Sequence, residues 1–134
     1  MALFGFGKRE RPLILHIDDS SLVLMLTQTM LAGLGYDVIQ AESGEDALAV
    51  AASKKPDLIL IDAMMPGIDG YETVQRMRMT KELKDTPIIM VTGDDSVKSI
   101  DRATASGAND YLVKPVKEDR LKTKLEALLK RPPR

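Results

Sequence analysis

"LILIDAMMPGIDGY", residues 58–71, decides the fold. An unbroken apolar run ends on a lone aspartate, Asp62, and a Pro-Gly pair then turns the chain. A short apolar run without polar alternation is the pattern of a strand covered on both faces, as in a parallel sheet flanked by helices. A carboxylate at the end of such a strand is costly to bury unless something compensates its charge. That compensation has to come from the ends of other strands or from a bound cation.

Working outward, five short apolar runs stand in order: "LILHI" at 13–17, "DVIQA" at 37–41, "DLILI" at 57–61, "PIIMV" at 87–91 and "YLV" at 111–113. Helical stretches separate them. Ser20 or Ser21 caps "LVLMLTQTMLAGL", which Gly33 and Gly35 end, and Ser43 caps "GEDALAVAASKK" with Asp46 in a weak capping-box position. Further helices fit "GYETVQRMRM", "SVKSIDRATASG" and "KEDRLKTKLEALLK", the last with Leu121, Leu125, Leu128 and Leu129 on one face. Parallel neighbours need a crossover and a helix supplies it, so five strands alternating with five helices predict a doubly wound α/β domain. Ligands of such sheets bind just beyond the carboxyl ends of the strands.

The chain of 134 residues fits one domain around a single core. Lys+Arg 19 against Asp+Glu 20 gives no reason to expect nucleic acid or an anionic membrane as partner. The absence of cysteine excludes disulfides, thiolate metal sites and a Cys nucleophile, and the single histidine, His16, excludes any site that needs two. The apolar runs fall far short of the roughly 20 residues of a membrane span. "MALFGFG" lacks the leading basic region and long apolar core of a secretion signal, so the expected location is cytoplasmic. Residues 1–11 read as a flexible leader, 12–129 as the domain and 130–134 as a tail. Phe4 and Phe6 in the leader are unusual for a disordered segment and are a candidate docking element.

The strand ends carry the chemistry: Asp18 and Asp19 after the first, Asp62 after the third, Thr92 after the fourth, Lys114 after the fifth. Three carboxylates at one edge repel one another unless a cation sits among them, and hard oxygen ligands without His or Cys suit Mg²⁺ or Mn²⁺. Lys114 adds a positive charge and Thr92 a hydroxyl donor. A carboxylate nucleophile, a metal, an ammonium and a hydroxyl are the parts of phosphoryl transfer, with Asp62 as the nucleophile. His16 lies inside the first strand and reads as a packed neutral imidazole rather than a ligand. Met25, Met30, Met77 and Met90 read as core, leaving Met64 and Met65 to touch a partner.

"HIDDS", "LILIDAMMPGIDGYE", "IIMVTG" and "GANDYLVKP" together resemble the four signature blocks of receiver domains of bacterial two-component response regulators, a family that includes the single-domain chemotaxis regulator. The resemblance spans roughly residues 12–129. It implies a flavodoxin-like five-stranded sheet in the order 2-1-3-4-5 and makes Asp62 the acceptor of a phosphoryl group from a histidine kinase or phosphotransfer protein. It also implies that Asp18 and Asp19 hold Mg²⁺, with Asp62 and the backbone carbonyl of Met64 completing the protein ligands, while Lys114 pairs with the phosphoryl group. Lys114-Pro115 becomes a candidate cis peptide. Thr92 and Tyr111 match the family's switch pair, which reshapes the face of the fourth helix, fifth strand and fifth helix where a downstream protein binds.

Met64 and Asp94 match positions that tune the lifetime of the acyl phosphate, and Gly93 stands where the family often has Ala. The expected protein acts alone, as a monomer or a phosphorylation-dependent dimer, with no room for a DNA-binding output module. Two other readings compete. A Mg²⁺-dependent aspartyl-phosphate phosphatase of the haloacid-dehalogenase type carries a second Asp two residues after the nucleophile, where this chain has Met64. A receiver-like binding module that works without phosphorylation usually lacks one or more site residues, and here all are present.

Overall fold

The computed structural model describes residues 11–129. Phe4, Phe6 and the tail 130–134 lie outside the described residues. The elements run β1 (Leu13–Ile17), α1 (Ser21–Gly33), β2 (Asp37–Ala41), α2 (Gly44–Lys54), β3 (Leu58–Asp62), α3 (Gly70–Arg78), a 3-10 turn (Lys81–Leu83), β4 (Ile88–Thr92), α4 (Val97–Ser106), β5 (Asp110–Val113) and α5 (Glu118–Leu129). All strand pairs are parallel and the sheet order is β2-β1-β3-β4-β5, the flavodoxin-like arrangement expected from the sequence.

The runs at 13–17, 57–61 and 87–91 form the interior strands β1, β3 and β4, and those at 37–41 and 111–113 form the edges β2 and β5. Each interior strand feeds two cores, because successive side chains point to opposite faces. Leu15, Ile17, Ile59, Ile61, Ile88 and Met90 pack on the side covered by α2, α3 and α4. Ile14, Leu58, Leu60, Ile89, Val91 and Leu112 pack on the other side, against Leu31 of α1 and Leu121 and Leu125 of α5. Leu128 and Leu129 lie half-buried against the same core.

Each of the first four helices opens on a side-chain cap that accepts a backbone N–H left unpaired by the first turn. Ser20 Oγ accepts from Val23 at 3.3 Å, Ser43 from Asp46 at 3.1 Å, Asp69 from Glu72 at 2.8 Å and Ser96 from Ser99 at 3.2 Å.

Two strands start and stop one residue later than the apolar runs indicate. β3 and β4 take in Asp62 and Thr92, because backbone pairing continues past the last apolar side chain: Asp62 pairs with Val91 and Thr92 with Val113. The 3-10 turn was not expected; it buries Leu83 against the core between α3 and β4. Arg78 fixes this region. Its guanidinium donates to the carbonyls of Gly107, Leu83 and Thr86 at 2.9, 2.8 and 2.7 Å and to Asn109 Oδ1 at 2.8 Å. Arg11, assigned to the leader by sequence, donates to the carbonyls of Ala32 and Tyr36, both at 3.2 Å, and pairs with Asp37.

The methionine assignments need correction in two places. Met77 and Met90 are buried and Met30 is half-buried on the core, but Met25 is 57% exposed. The buried stripe of α1 is Leu24, Thr27 and Leu31, and Met25 falls outside that helical spacing. Met65 is core rather than contact surface, which leaves Met64, 67% exposed, alone in the loop.

Candidate functional site

The register of the sheet assembles the site. Ile17 of β1 pairs with Ile61 of β3, so the next residues, Asp18 and Asp62, come off adjacent strands side by side. By the two-residue period, Asp18 shares the face of Ile14 and His16, and Asp62 that of Leu58 and Leu60. Lys114 follows β5, and its backbone N–H bonds to the Thr92 carbonyl at 2.8 Å. From there the lysine reaches past β4 to the carboxylates. Its Nζ lies 3.2 Å from Asp62 Oδ1 and 3.7 Å from Asp18 Oδ2. The Lys114-Pro115 peptide bond is cis.

Asp18, Asp19 and Asp62 each place a carboxylate oxygen within 4.8 Å of the others. Asp18 and Asp62 are buried, Asp19 is exposed. The Ser20 N–H donates to Asp18 Oδ1 at 2.9 Å, so the residue that caps α1 also fixes this carboxylate. Burial pushes the Asp62 carboxyl above its usual range and the Asp18 charge pushes the same way, while the hydrogen bond and charge of Lys114 oppose them. Three carboxylates face one ammonium here, and the donors are all oxygen. Such a set fits a hard divalent cation.

The loop after β3 keeps clear of Asp62 by two glycine-dependent features. Gly67 takes φ +79°, a left-handed conformation that residues with a Cβ rarely adopt. Gly70 opens α3 directly against the strand end, where an added Cβ would lie 2.2 Å from the Asp62 carbonyl oxygen and 2.8 Å from Ala63 Cα. The role of Gly70 was missed in the sequence; its position at the start of the third apolar-periodic stretch was the signal. Met64 follows in the same loop, its N–H only 3.5 Å from Asp62 Oδ1.

Thr92, Asp94 and Tyr111 stand apart from the carboxylate cluster in their bonding. The Thr92 hydroxyl donates to the Asp94 carbonyl at 3.2 Å and accepts from the Asp94 N–H at 3.0 Å. The Asp94 carboxylate in turn accepts from the Ser96 N–H and the Ser99 hydroxyl, both at 2.8 Å, and these bonds hold its pKa below the usual range. Asp94 is therefore tied to the start of α4. Nothing stands within 4 Å of the position a Cβ would take on Gly93. Tyr111 is half-buried on β5 with Lys124 Nζ 5.1 Å from its ring centre, and Lys124 also pairs with Asp110 at 2.8 Å.

His16 is 2% exposed and its Nδ1 has no hydrogen-bond partner among the described residues. Burial lowers its pKa to about 4, against the opposing pull of Asp18, so the ring is neutral at physiological pH.

An α/β sheet of this order, with an acidic pair after its first strand, an aspartate ending the third and a lysine after the fifth, defines a class. The response regulator receiver domain family matches residues 14–126, and the chain belongs to that family. Members of the family are phosphoacceptors that bind Mg²⁺ at an acidic pocket and interact with histidine kinases or phosphotransfer proteins. Protein PilH of Pseudomonas aeruginosa is 36% identical over 116 residues, which cover 87% of this chain and 96% of PilH. The chain spans about half the length of several other curated relatives, among them the transcriptional regulatory protein AfsQ1 of Streptomyces coelicolor (38% identity, 90% of this chain, 52% of AfsQ1).

Among solved structures, the chemotaxis protein CheY4 of Vibrio cholerae superposes with a TM-score of 0.84 at 34% identity, covering 88% of this chain and 98% of CheY4. The receiver domain of the sensor histidine kinase PA1611 from Pseudomonas aeruginosa, with a magnesium ion coordinated in its active-site cleft, gives 0.84 at 29% identity over 90% of this chain and 99% of that one. Among the described residues no helix is long and apolar enough to cross a membrane.

Proposed function

We propose that this chain is a stand-alone phosphoacceptor switch. Asp62 takes a phosphoryl group from the phosphohistidine of a histidine kinase or phosphotransfer protein, and altered binding to another protein is the output. The observation that carries this reading is the buried Asp62 carboxylate held between Lys114 Nζ at 3.2 Å and the second carboxylate, Asp18. A carboxylate oxygen of Asp62 attacks phosphorus, the phosphorus–nitrogen bond of the donor breaks, and the leaving imidazole keeps the electron pair and takes up a proton.

Asp18, Asp19, Asp62 and the Met64 carbonyl would hold Mg²⁺, which when bound offsets the negative charge of the phosphoryl oxygens. Lys114, already beside Asp62, pairs with one of those oxygens. The Thr92 hydroxyl turns from Asp94 toward another. That movement breaks both Thr92–Asp94 hydrogen bonds and loosens the start of α4, while the Tyr111 ring moves inward on β5. The face of α4, β5 and α5 is where the target protein reads the state, by differing affinity for the two arrangements.

Met64 is apolar and offers no group to orient a hydrolytic water. Asp94, whose carboxylate holds Ser96 and Ser99 at the start of α4, influences the lifetime of the acyl phosphate through the Thr92 loop rather than by holding water. The similarity to PilH, which the match covers almost from end to end, supports the stand-alone reading. We place it in the cytoplasm, where such donors act, as a monomer or a phosphorylation-dependent dimer.

Beryllofluoride with Mg²⁺ tests this reading. The amides of Thr92, Asp94 and Tyr111 shift in the wild type and stay put in Asp62→Asn. Unmoved wild-type amides, or steady multiple turnover of small phosphomonoesters, contradict the switch.

A further inference from the structure

A cavity of about 580 Å³ lies between α1 and the turn after β5, beside the acidic site. Val23, Leu26 and Met30 of α1, Val91 of β4, and Pro115 and Val116 of the turn give it mostly apolar walls. It marks a gap in helix packing. On the opposite face of the sheet α2 packs on α3 and α3 on α4, whereas among the described residues α1 and α5 make no comparable contact with each other. Met30 and Val116, packed against the core on this side, are only half-buried, and Leu26 is 57% exposed. A cavity of this size and character takes a drug-sized apolar body or a pair of aromatic side chains. The two phenylalanines of the chain, Phe4 and Phe6, both stand in the segment 1–10, which lies outside the described residues. An extended backbone turns residues two apart to the same side, so the two rings would share one side and Gly5 and Gly7 the other.

The segment joins the domain within reach of the cavity. Arg11 donates to the carbonyls of Ala32 and Tyr36, at the C-terminal end of α1 and just before β2. From Ala32 the cavity runs along α1 past Met30 and Leu26 to Val23, a distance of about 14 Å at the helical rise per residue. Phe6 and Phe4 precede Arg11 by five and seven residues, which span up to about 17 and 24 Å when extended. Charge agrees with this path. Burial, and then the charge of Glu126, raise the pKa of the Tyr36 phenol, so this α5 carboxylate stands near the point where the segment leaves, next to Lys8 and Arg9 in the chain. We infer that residues 1–10 fold back along α1 and seat Phe4 and Phe6 in the cavity, with Lys8 and Arg9 beside Glu126. A tethered occupant has a high effective concentration and outcompetes the same segment of a second copy. Asp18 and Lys114 also line the cavity, so the seated rings lie against two side chains that surround Asp62. On the phosphoacceptor reading, a protein that approaches Asp62 over α1 has first to displace them, but the docking itself does not depend on that reading.

Nuclear Overhauser effects between aromatic rings and methyl groups of the full chain test this. In wild type the Phe4 and Phe6 rings are expected to contact the methyls of Val23, Leu26, Met30 and Val116. In a mixture of ¹³C-labelled and unlabelled chains those contacts stay within one copy. In the double variant Phe4→Ser, Phe6→Ser the same methyls shift, while those of Ile59 and Ile88, on the other face of the sheet, stay put. Rings without contact to the cavity methyls overturn the inference and leave the cavity to a separate partner, and methyl positions identical in wild type and variant overturn it too. Contacts between labelled and unlabelled chains overturn it in favour of a second copy as the occupant. If the double variant does not fold, the wild-type contacts decide alone. Asp62→Asn keeps the ring contacts even if that residue is never phosphorylated, so failure of the docking and failure of the phosphoacceptor reading are told apart.

Discussion

At Asp62 the fold holds a carboxyl whose charged form it disfavours, through burial and the neighbouring Asp18. The native state then binds the Asp62 proton more tightly than the unfolded chain does, so this group lowers stability as pH rises through its raised pKa. Asp62→Asn removes that penalty and is expected to raise the melting temperature at pH 7 without Mg²⁺ by a few degrees; an unchanged or lower value in a calorimetric scan contradicts it. His16 has the opposite sign. Its folded pKa is depressed to about 4 from 6.5, so neutral burial contributes stability that is full above about 6.5 and is lost as pH falls through about 4. At 1.36 kcal/mol per unit the full effect is on the order of 3 kcal/mol. The His16 ring nitrogens should show no titration between pH 7.5 and 5.5, and an ordinary midpoint near 6.5 contradicts the buried neutral ring. Both residues were legible in the sequence by position, since one ends a strand and the other sits inside one. The ties of Asp94 to Ser96 and Ser99 were not, because they depend on how the loop after β4 closes on α4.

The elements themselves followed from period and caps. Continuous apolar runs marked the interior strands because both faces are covered, and serines at 20 and 43 capped the first two helices. The misses have a common cause: hydrophobicity reports burial, while strand limits and turns are set by backbone pairing. So β3 and β4 run one residue beyond their apolar runs, onto Asp62 and Thr92, and the 3-10 turn at Lys81–Leu83 gave no periodic signal. Arg78 belongs to no motif in the sequence, yet it joins α3, the 3-10 turn and the loop before β5 through the carbonyls of Gly107, Leu83 and Thr86 and the side chain of Asn109. Arg78→Ala removes the guanidinium donor from the Gly107 and Thr86 carbonyls and leaves that of Leu83 with only the Thr86 N–H, and is expected to cost about 2–4 kcal/mol in urea unfolding with an unchanged m-value. A loss under about 0.5 kcal/mol, the size of an ordinary surface change, contradicts the role given to it.

For the whole molecule, the convergence of the site was readable only after the strand order was assumed. Element alternation places Asp18, Asp19, Asp62, Thr92 and Lys114 at one edge of the sheet, but only the order β2-β1-β3-β4-β5 makes β1 and β3 neighbours. Thr92 then has the parity of Ile88 and Met90 on the face opposite Asp18 and Asp62, a division no single motif reveals. If the three carboxylates share a cation, millimolar Mg²⁺ should raise the melting temperature of wild type by mass action on the native state. It should raise that of Asp19→Asn much less, and equal shifts contradict the shared site.

The central claim is covalent loading of one carboxylate, and intact-mass analysis after incubation with acetyl phosphate and Mg²⁺ tests it most directly. Wild type is predicted to gain a single phosphoryl group of about 80 Da that is lost on standing and localises to Asp62. Asp62→Asn should gain nothing. A wild-type chain that never gains that mass under these conditions, or a variant that gains it equally well, contradicts the account.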